Sequence, residues 1–369
     1  MMKGWITVTK PDLPPLEEYV EFLKKIWESK WLTNDGNLLR LFEEKLKEYL
    51  KVKYIATTCN GTLALHIALK ALNLKGEIIT TPFTFPATVN VIVWEGLTPI
   101  FADIDPETFN IDPEDVERKI TEKTSAILAV HVFGNPCYVE DLEKIAKDYN
   151  LKLIFDAAHA FGVEYKGSSV LNYGDVSILS FHATKVFHTI EGGAIITKDK
   201  EIFEKVKLLR NHGIKSEEEV VFAGTNAKMN EFQAAMGICN LKYVDEKIRK
   251  RKVIYEYYKE NLDIVDVNFQ KIIASKYNYA YMPVVFKTKC ICDKIYAKLQ
   301  KNKIKARKYF YPLCPTFQYF RNNKNIAESM RELKNAKYIS DRILCLPLYS
   351  DLTIEEAQKV IDIVRSVLL

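Results

Sequence analysis

Residues 177–197 read SILSFHATKVFHTIEGGAIIT. The run Ser177-Ile178-Leu179-Ser180-Phe181 predicts a short buried strand, and Ala194-Ile195-Ile196-Thr197 predicts another. Between them stand a polar loop with His182, Thr184 and Lys185, and then a Gly192-Gly193 turn. Removal from water disfavours an ammonium ion. A lysine held between two apolar strands is therefore salt-bridged, or a nucleophile of lowered pKa, or an ordinary surface residue of the loop. The neighbouring segments decide which.

Upstream, apolar runs at 54–56, 77–81, 99–102, 125–130 and 151–155 alternate with helical spacing at 63–74, 87–95, 113–119 and 139–149. Runs without strict polar alternation, separated by helices, predict an α/β fold whose mostly parallel sheet is covered on both faces. Nearer the N-terminus, 10–15 is a proline-rich arm, and helical spacing over 16–30 and 38–50 is broken by a polar turn at 31–36. Downstream, 225–262 reads as helical. Strand-like runs at 279–286 and 343–346, with helices near 291–302 and 353–368, predict a smaller α+β domain. The expected division is an N-terminal arm and large domain over 1–240, and a small C-terminal domain over 241–369.

At 369 residues the chain is long enough for two domains, and its 48% hydrophobic and 27% charged content is that of a soluble globular protein. The net charge of +5 is small for this length and the charges are interspersed, so neither a nucleic-acid stripe nor a polybasic membrane anchor is expected. The most basic segment, 301–308, reads as the solvated edge of a helix and loop. The 7 cysteines form no CxxC pair, so free thiols in a reducing cytoplasm are expected, and no metal site. The N-terminus has no apolar core of signal-peptide length, and no stretch approaches a membrane span.

Three further stretches carry chemistry. Asn60-Gly61-Thr62 lies between a strand and a helix. A helix start offers unpaired N–H groups and positive dipole, which suits a phosphate. The plainer reading is that Asn60 or Thr62 caps the helix. No GxGxxG or GxxxxGK[ST] occurs, so dinucleotide and P-loop readings lack their basic requirement. Asp156, in Phe155-Asp156-Ala157-Ala158-His159, falls at the carboxyl end of a buried strand, where parallel sheets bind ligands. It could hold a protonated ring nitrogen of pyridoxal phosphate (PLP) or cap a following helix; His159, three residues on, would share that helix face. Phe85 follows another strand end, where it could stack on a planar cofactor or pack into the core. Together, a phosphate nest, an aromatic plate, a strand-end aspartate and a loop lysine are what a PLP site needs.

With Trp31-Leu32-Thr33, Asn60-Gly61-Thr62, Thr84-Phe85, Asp156-Ala157-Ala158-His159-Ala160, Ser180-Phe181-His182-Ala183-Thr184-Lys185, Glu191-Gly192-Gly193, Asn211-His212-Gly213 and Leu346-Pro347-Leu348 in order, the chain resembles the DegT/DnrJ/EryC1/StrS family of PLP-dependent sugar aminotransferases. The resemblance implies the type I aminotransferase fold, with a seven-stranded sheet in its large domain. It implies that Lys185 carries the cofactor and moves the proton, that Asp156 pairs with the pyridinium nitrogen, and that His159 lies near the phenolic oxygen. Phe85 would stack on the ring. Gly61, Thr62 and Ser180 would hold the phosphate, with Asn226 reaching in from a second subunit of a homodimer. Around Lys185 the sequence is most similar to members that aminate the 4-position of dTDP-4-keto-6-deoxyglucose with glutamate as donor. Amination at the 3-position, or of a UDP-sugar, is the nearest alternative. A sugar dehydratase of this fold would carry histidine at position 185, and a non-catalytic binding protein would not need the full set. Asn60 stands where many members have Ser, Lys228 where many have Arg, His188 where many have Asn, and Cys314 where many have His. The last two are expected near the sugar pocket.

Overall fold

The structure is a computed structural model that describes residues 4–320, 322, 323, 326 and 330–368. Two amphipathic helices, α1 (Leu16–Ser29) and α2 (Asn37–Leu50), open the chain. Strand β1 (Tyr54–Thr58) then leads into helix α3 (Gly61–Ala71). Next come β2 (Glu77–Thr80), α4 (Pro86–Trp94), β3 (Thr98–Phe101), β4 (Thr124–Val130) and β5 (Lys152–Asp156). After a two-residue-strand hairpin of β6 (Glu164–Tyr165) and β7 (Ser168–Ser169), β8 (Val176–Ser180) and β9 (Gly193–Thr197) frame the lysine loop.

The main sheet has 7 strands in the order β1-β9-β8-β5-β4-β2-β3. Only β9 runs against the others, pairing antiparallel with both β1 and β8. Its strands are Val-, Ile- and Ala-rich on both faces and buried on both, as the sequence predicts for a covered parallel sheet. The shared direction brings the carboxyl ends of β1, β2, β4, β5 and β8 to one edge, together with the start of β9. That edge is where the sheet can present side chains to a ligand.

Beyond the helix Glu231–Leu241 and the long helix Val244–Leu262, strands Val267–Phe269, Met282–Phe286 and Ile343–Leu346 form a second, antiparallel sheet. Helices Lys289–Lys301 and Ile354–Leu368 pack against it and bury Ile295, Leu299, Val360 and Ile361. The region read as helical from 225 begins its helix only at Glu231, where Asn230 and Gln233 make a reciprocal capping box. The N-terminal arm joins this second unit: Ile6 N–H donates to the Lys303 carbonyl at 3.0 Å, and Leu348 N–H donates to that of Val8 at 3.1 Å.

Beneath the lysine loop lies an aromatic cluster. Phe187 stacks on Phe161 at 4.3 Å between centroids and meets Phe181 edge-on at 5.2 Å, with Phe42 closing the group. Rings packed this way contribute about 1 kcal/mol per pair beyond their burial. The loop of Lys185 thus rests on a rigid floor.

Candidate active site

At the carboxyl edge of the main sheet lies a pocket of about 640 Å³. Gly61, Thr62, Phe85, Asp156, His159, Ser180 and Lys185 all line it. Asn226 does not; within one chain it is exposed and accepts a hydrogen bond from Lys228 Nζ at 2.8 Å.

Asn60 caps α3, its Oδ1 accepting from Leu63 N–H at 2.8 Å. Capping and phosphate binding are not alternatives here. With Asn60 serving the third amide, those of Gly61 and Thr62, and the hydroxyls of Thr62 and Ser180, have no protein partner among the described residues. Gly61 is required by distance, because a Cβ there would fall 2.8 Å from that of Ser180. Strand end and helix start therefore converge into one cradle of donors at the positive end of α3.

Asp156 is 5% exposed, and both its oxygens are held: Thr88 Oγ1 donates at 2.8 Å and Ala158 N–H at 3.1 Å. Burial pushes its pKa up, against those hydrogen bonds and the nearby Lys185. A carboxylate so placed is completed by a cation on its open side.

His159 does not sit on a helix. Residues 157–162 form turns, because Asn278 Nδ2 donates to the carbonyls of both His159 (2.8 Å) and Phe161 (3.0 Å), acceptors that a helix would use itself. Its Nδ1 accepts from Phe133 N–H at 3.2 Å, which puts the proton on Nε2. Burial, and then the charge of Lys185, hold its pKa well below the usual value, so the ring is neutral. It is stacked among Phe133, Phe310 and Tyr281.

The amine of Lys185 makes no hydrogen bond or ion pair with the described residues. Desolvation lowers its pKa to about 8; Asp156 opposes that shift and Arg307 adds to it. Lys185 is half-buried in the pocket wall, and among the described residues no carboxylate stands within salt-bridge distance, so the salt-bridged reading falls away. Behind it, His182 Nδ1 and Thr184 Oγ1 are 2.8 Å apart, and Lys185 N–H donates to the His182 carbonyl.

Phe85 is 49% exposed and faces the pocket instead of entering the core, where Phe83 goes. The wall opposite comes from the second unit: Tyr281, Arg307, Tyr309 and Phe310. Arg307 lies within the basic run read as a solvated edge; Lys301, Lys303, Lys305 and Arg307 are exposed as that reading expects, and Arg307 borders this pocket as well. Its guanidinium stacks at 4.2 Å over the Tyr309 ring at the pocket. Nothing in the local pattern marks Arg307, because only the packing of the two sheets brings it to Lys185. Neither His188 nor Cys314 lines the pocket. His188 is buried beneath the loop, and Cys314 Sγ points at the Thr84 carbonyl, 3.4 Å away.

Among the described residues no cluster of His, Cys, Asp and Glu could hold a metal ion, all 7 cysteines are free, and no helix is long and apolar enough to cross a membrane.

The chain belongs to the DegT/DnrJ/EryC1/StrS aminotransferase family, whose model matches residues 16–365. It is 43% identical to dTDP-4-amino-4,6-dideoxy-D-glucose transaminase of Shigella dysenteriae over 99% of this chain and 100% of that one. The solved structure of DesI in the presence of its TDP-sugar product superposes with a TM-score of 0.91 at 33% identity, over 99% of this chain and 93% of that one. NtdA of Bacillus subtilis, solved with bound cofactor PMP, gives a TM-score of 0.86 at 28% identity over 96% and 82% of the two chains. The aminotransferase fold expected from the sequence is thus the one observed.

Proposed function

We propose that this enzyme uses PLP to transfer the amino group of L-glutamate to C4 of dTDP-4-keto-6-deoxyglucose, giving dTDP-4-amino-4,6-dideoxyglucose. The carrying observation is the unpaired amine of Lys185, which shares one pocket with the Asp156 carboxylate and the free amides of α3. The near-complete coverage of the 43% identical relative supports the 4-position and the dTDP carrier. A homodimer in the cytoplasm, with Asn226 completing the partner's phosphate site, is the assembly that fits the exposed position of that residue.

The residues fit the cofactor. The donors of Gly61, Thr62 and Ser180 would hold its phosphate, Asp156 its ring nitrogen, and Phe85 its ring face. The Nε2–H of His159 would donate to the phenolic oxygen. When bound, PLP supplies an aldehyde carbon for an amine and a ring that withdraws electrons.

Lys185 Nζ would hold the cofactor's aldehyde carbon, and as a free amine it would take the proton from the α-carbon of glutamate and deliver one to C4 of the sugar. A base poised near neutrality does both with little driving force lost in either direction. A protonated ring nitrogen opposite Asp156 would offset the penalty that burial imposes on its carboxylate. Phe310, Tyr281 and Tyr309 exclude water from the reacting carbon, and Arg307 gives the pocket a positive charge that suits carboxylate and diphosphate groups.

The test is a panel of keto-sugar nucleotides incubated with holoenzyme and glutamate, scored by product mass and by the position of the new amine. The dTDP-4-keto sugar should be aminated at least tenfold faster than 3-keto or UDP-linked sugars. Preference for one of the others would overturn the substrate assignment. Failure of the protein to bind PLP at all would overturn the whole reading.

A further inference from the structure

His188, three residues beyond Lys185, is 2% exposed and has both ring nitrogens engaged. Its Nδ1 accepts from Ile190 N–H at 3.2 Å, and its Nε2 lies 2.7 Å from the main-chain carbonyl of Asp12. A carbonyl only accepts and an amide N–H only donates, so the two contacts fix one neutral tautomer, protonated at Nε2.

The turn that this ring braces is strained. Ile190 has φ of 71°, a left-handed conformation that β-branched residues avoid, and it is 47% exposed, so core packing does not explain it. The next residue, Glu191, is a pocket wall, and its carbonyl is held by Thr189 Oγ1 (2.6 Å) and Gln233 Nε2 (2.7 Å). At the other end of the loop, Thr189 N–H donates to the Phe181 carbonyl, and Phe181 N–H to that of Gly192. The strand ends and the Ile190 turn therefore set the path of the chain through Lys185.

The other anchor of His188 is equally fixed. Asp12 lies in the N-terminal arm, and its carboxylate meets Ser350, Arg251 at 3.5 Å and Lys247 at 4.0 Å, all from the second unit. Arg251 in turn donates to the Leu348 carbonyl at 3.2 Å.

We infer that His188 is a positioning residue: its imidazole holds the strained Ile190 turn and ties the Lys185 loop, through the arm, to the second sheet. This rests on the assignment of Lys185 as the cofactor lysine.

Three variants separate the two contacts. An amide oxygen in His188→Asn can replace Nδ1 at the turn, the longer His188→Gln can reach the arm instead, and His188→Phe does neither. Each is loaded with PLP; the cofactor dissociation constant and the pH midpoint of its visible band are measured, with Tm alongside. His188→Phe should weaken PLP about tenfold and move the midpoint by at least half a pH unit. His188→Asn should recover most of both, and His188→Gln less. Should His188→Phe not fold, the ranking of Asn above Gln carries the test. Wild-type values in all variants that fold, or Gln equal to or better than Asn, would overturn the inference while leaving the aminotransferase reading intact. A wild-type protein with no PLP band would overturn both.

Discussion

Around Asp12 and Arg251 the chain takes charges out of water and knits them to one another, whereas around Lys185 it takes charges out of water and leaves them apart. Arg251 is 1% exposed and reaches a carboxylate and a carbonyl. Among the described residues Lys185 has neither, and the cradle at α3 likewise keeps its donors unspent. Burying a charge without a partner is costly and lowers a lysine pKa. A fold tolerates this where a ligand will supply the missing partner; around Asp12 it pairs the charges instead, leaving only Nε of the Arg251 guanidinium without a partner. For these two cations, pairing separates the one that serves a ligand from the one that serves the fold.

The contrast is sharpest under mutation. Lys185→Ala should abolish turnover, by about 10⁴-fold or more, while leaving Tm unchanged or raised, since an unpaired amine is removed. A variant with near-normal transamination would break the assignment. Arg251→Met should behave oppositely, lowering stability by about 3 kcal/mol because Asp12 would keep only Ser350 and the more distant Lys247 as partners; urea unfolding of apoenzyme measures it, and a loss under 1 kcal/mol would show that the knot is not a unit. Gly61→Ala comes next. Its methyl group would meet Ser180 and part the strand end from the helix start, weakening PLP binding about tenfold in a fluorescence titration.

The smallest effect concerns pH. The amine of Lys185 must be neutral to capture PLP, so uptake by apoenzyme should rise with pH through about 8 and then level off. Arg307 disfavours the ammonium ion. Arg307→Gln should therefore raise the midpoint by about half a unit and slow uptake at pH 7. A midpoint that falls would place Arg307 outside the field of the lysine.

The main sheet was readable because its strands are short apolar runs separated by amphipathic helices, a pattern that local sequence carries in full. Lys185, Asp156 and the cradle were readable for a related reason, since each sits where a strand ends. The helix expected after Asp156 was not found, although Ala157-Ala158-His159-Ala160 has high helix propensity; Asn278, more than a hundred residues away, claims the carbonyls. Arg307 and Tyr281 reach the pocket by the packing of one sheet against the other, which no window of sequence contains. His188 stood out only as a departure from a family habit, and its partner at Asp12 could not be read from its neighbours.

The arm has a consequence for the order of events during synthesis. Val8 and Asp12 leave the ribosome more than three hundred residues ahead of their partners Leu348 and Ser350. At usual elongation rates the arm waits on the order of half a minute for them. The main sheet can be complete by then, and so can the contact of His188 with Asp12 and that of Asp12 with Arg251 and Lys247. A nascent chain stalled before residue 348 would hold every pocket residue and lack only the arm's clasp on Leu348 and Ser350.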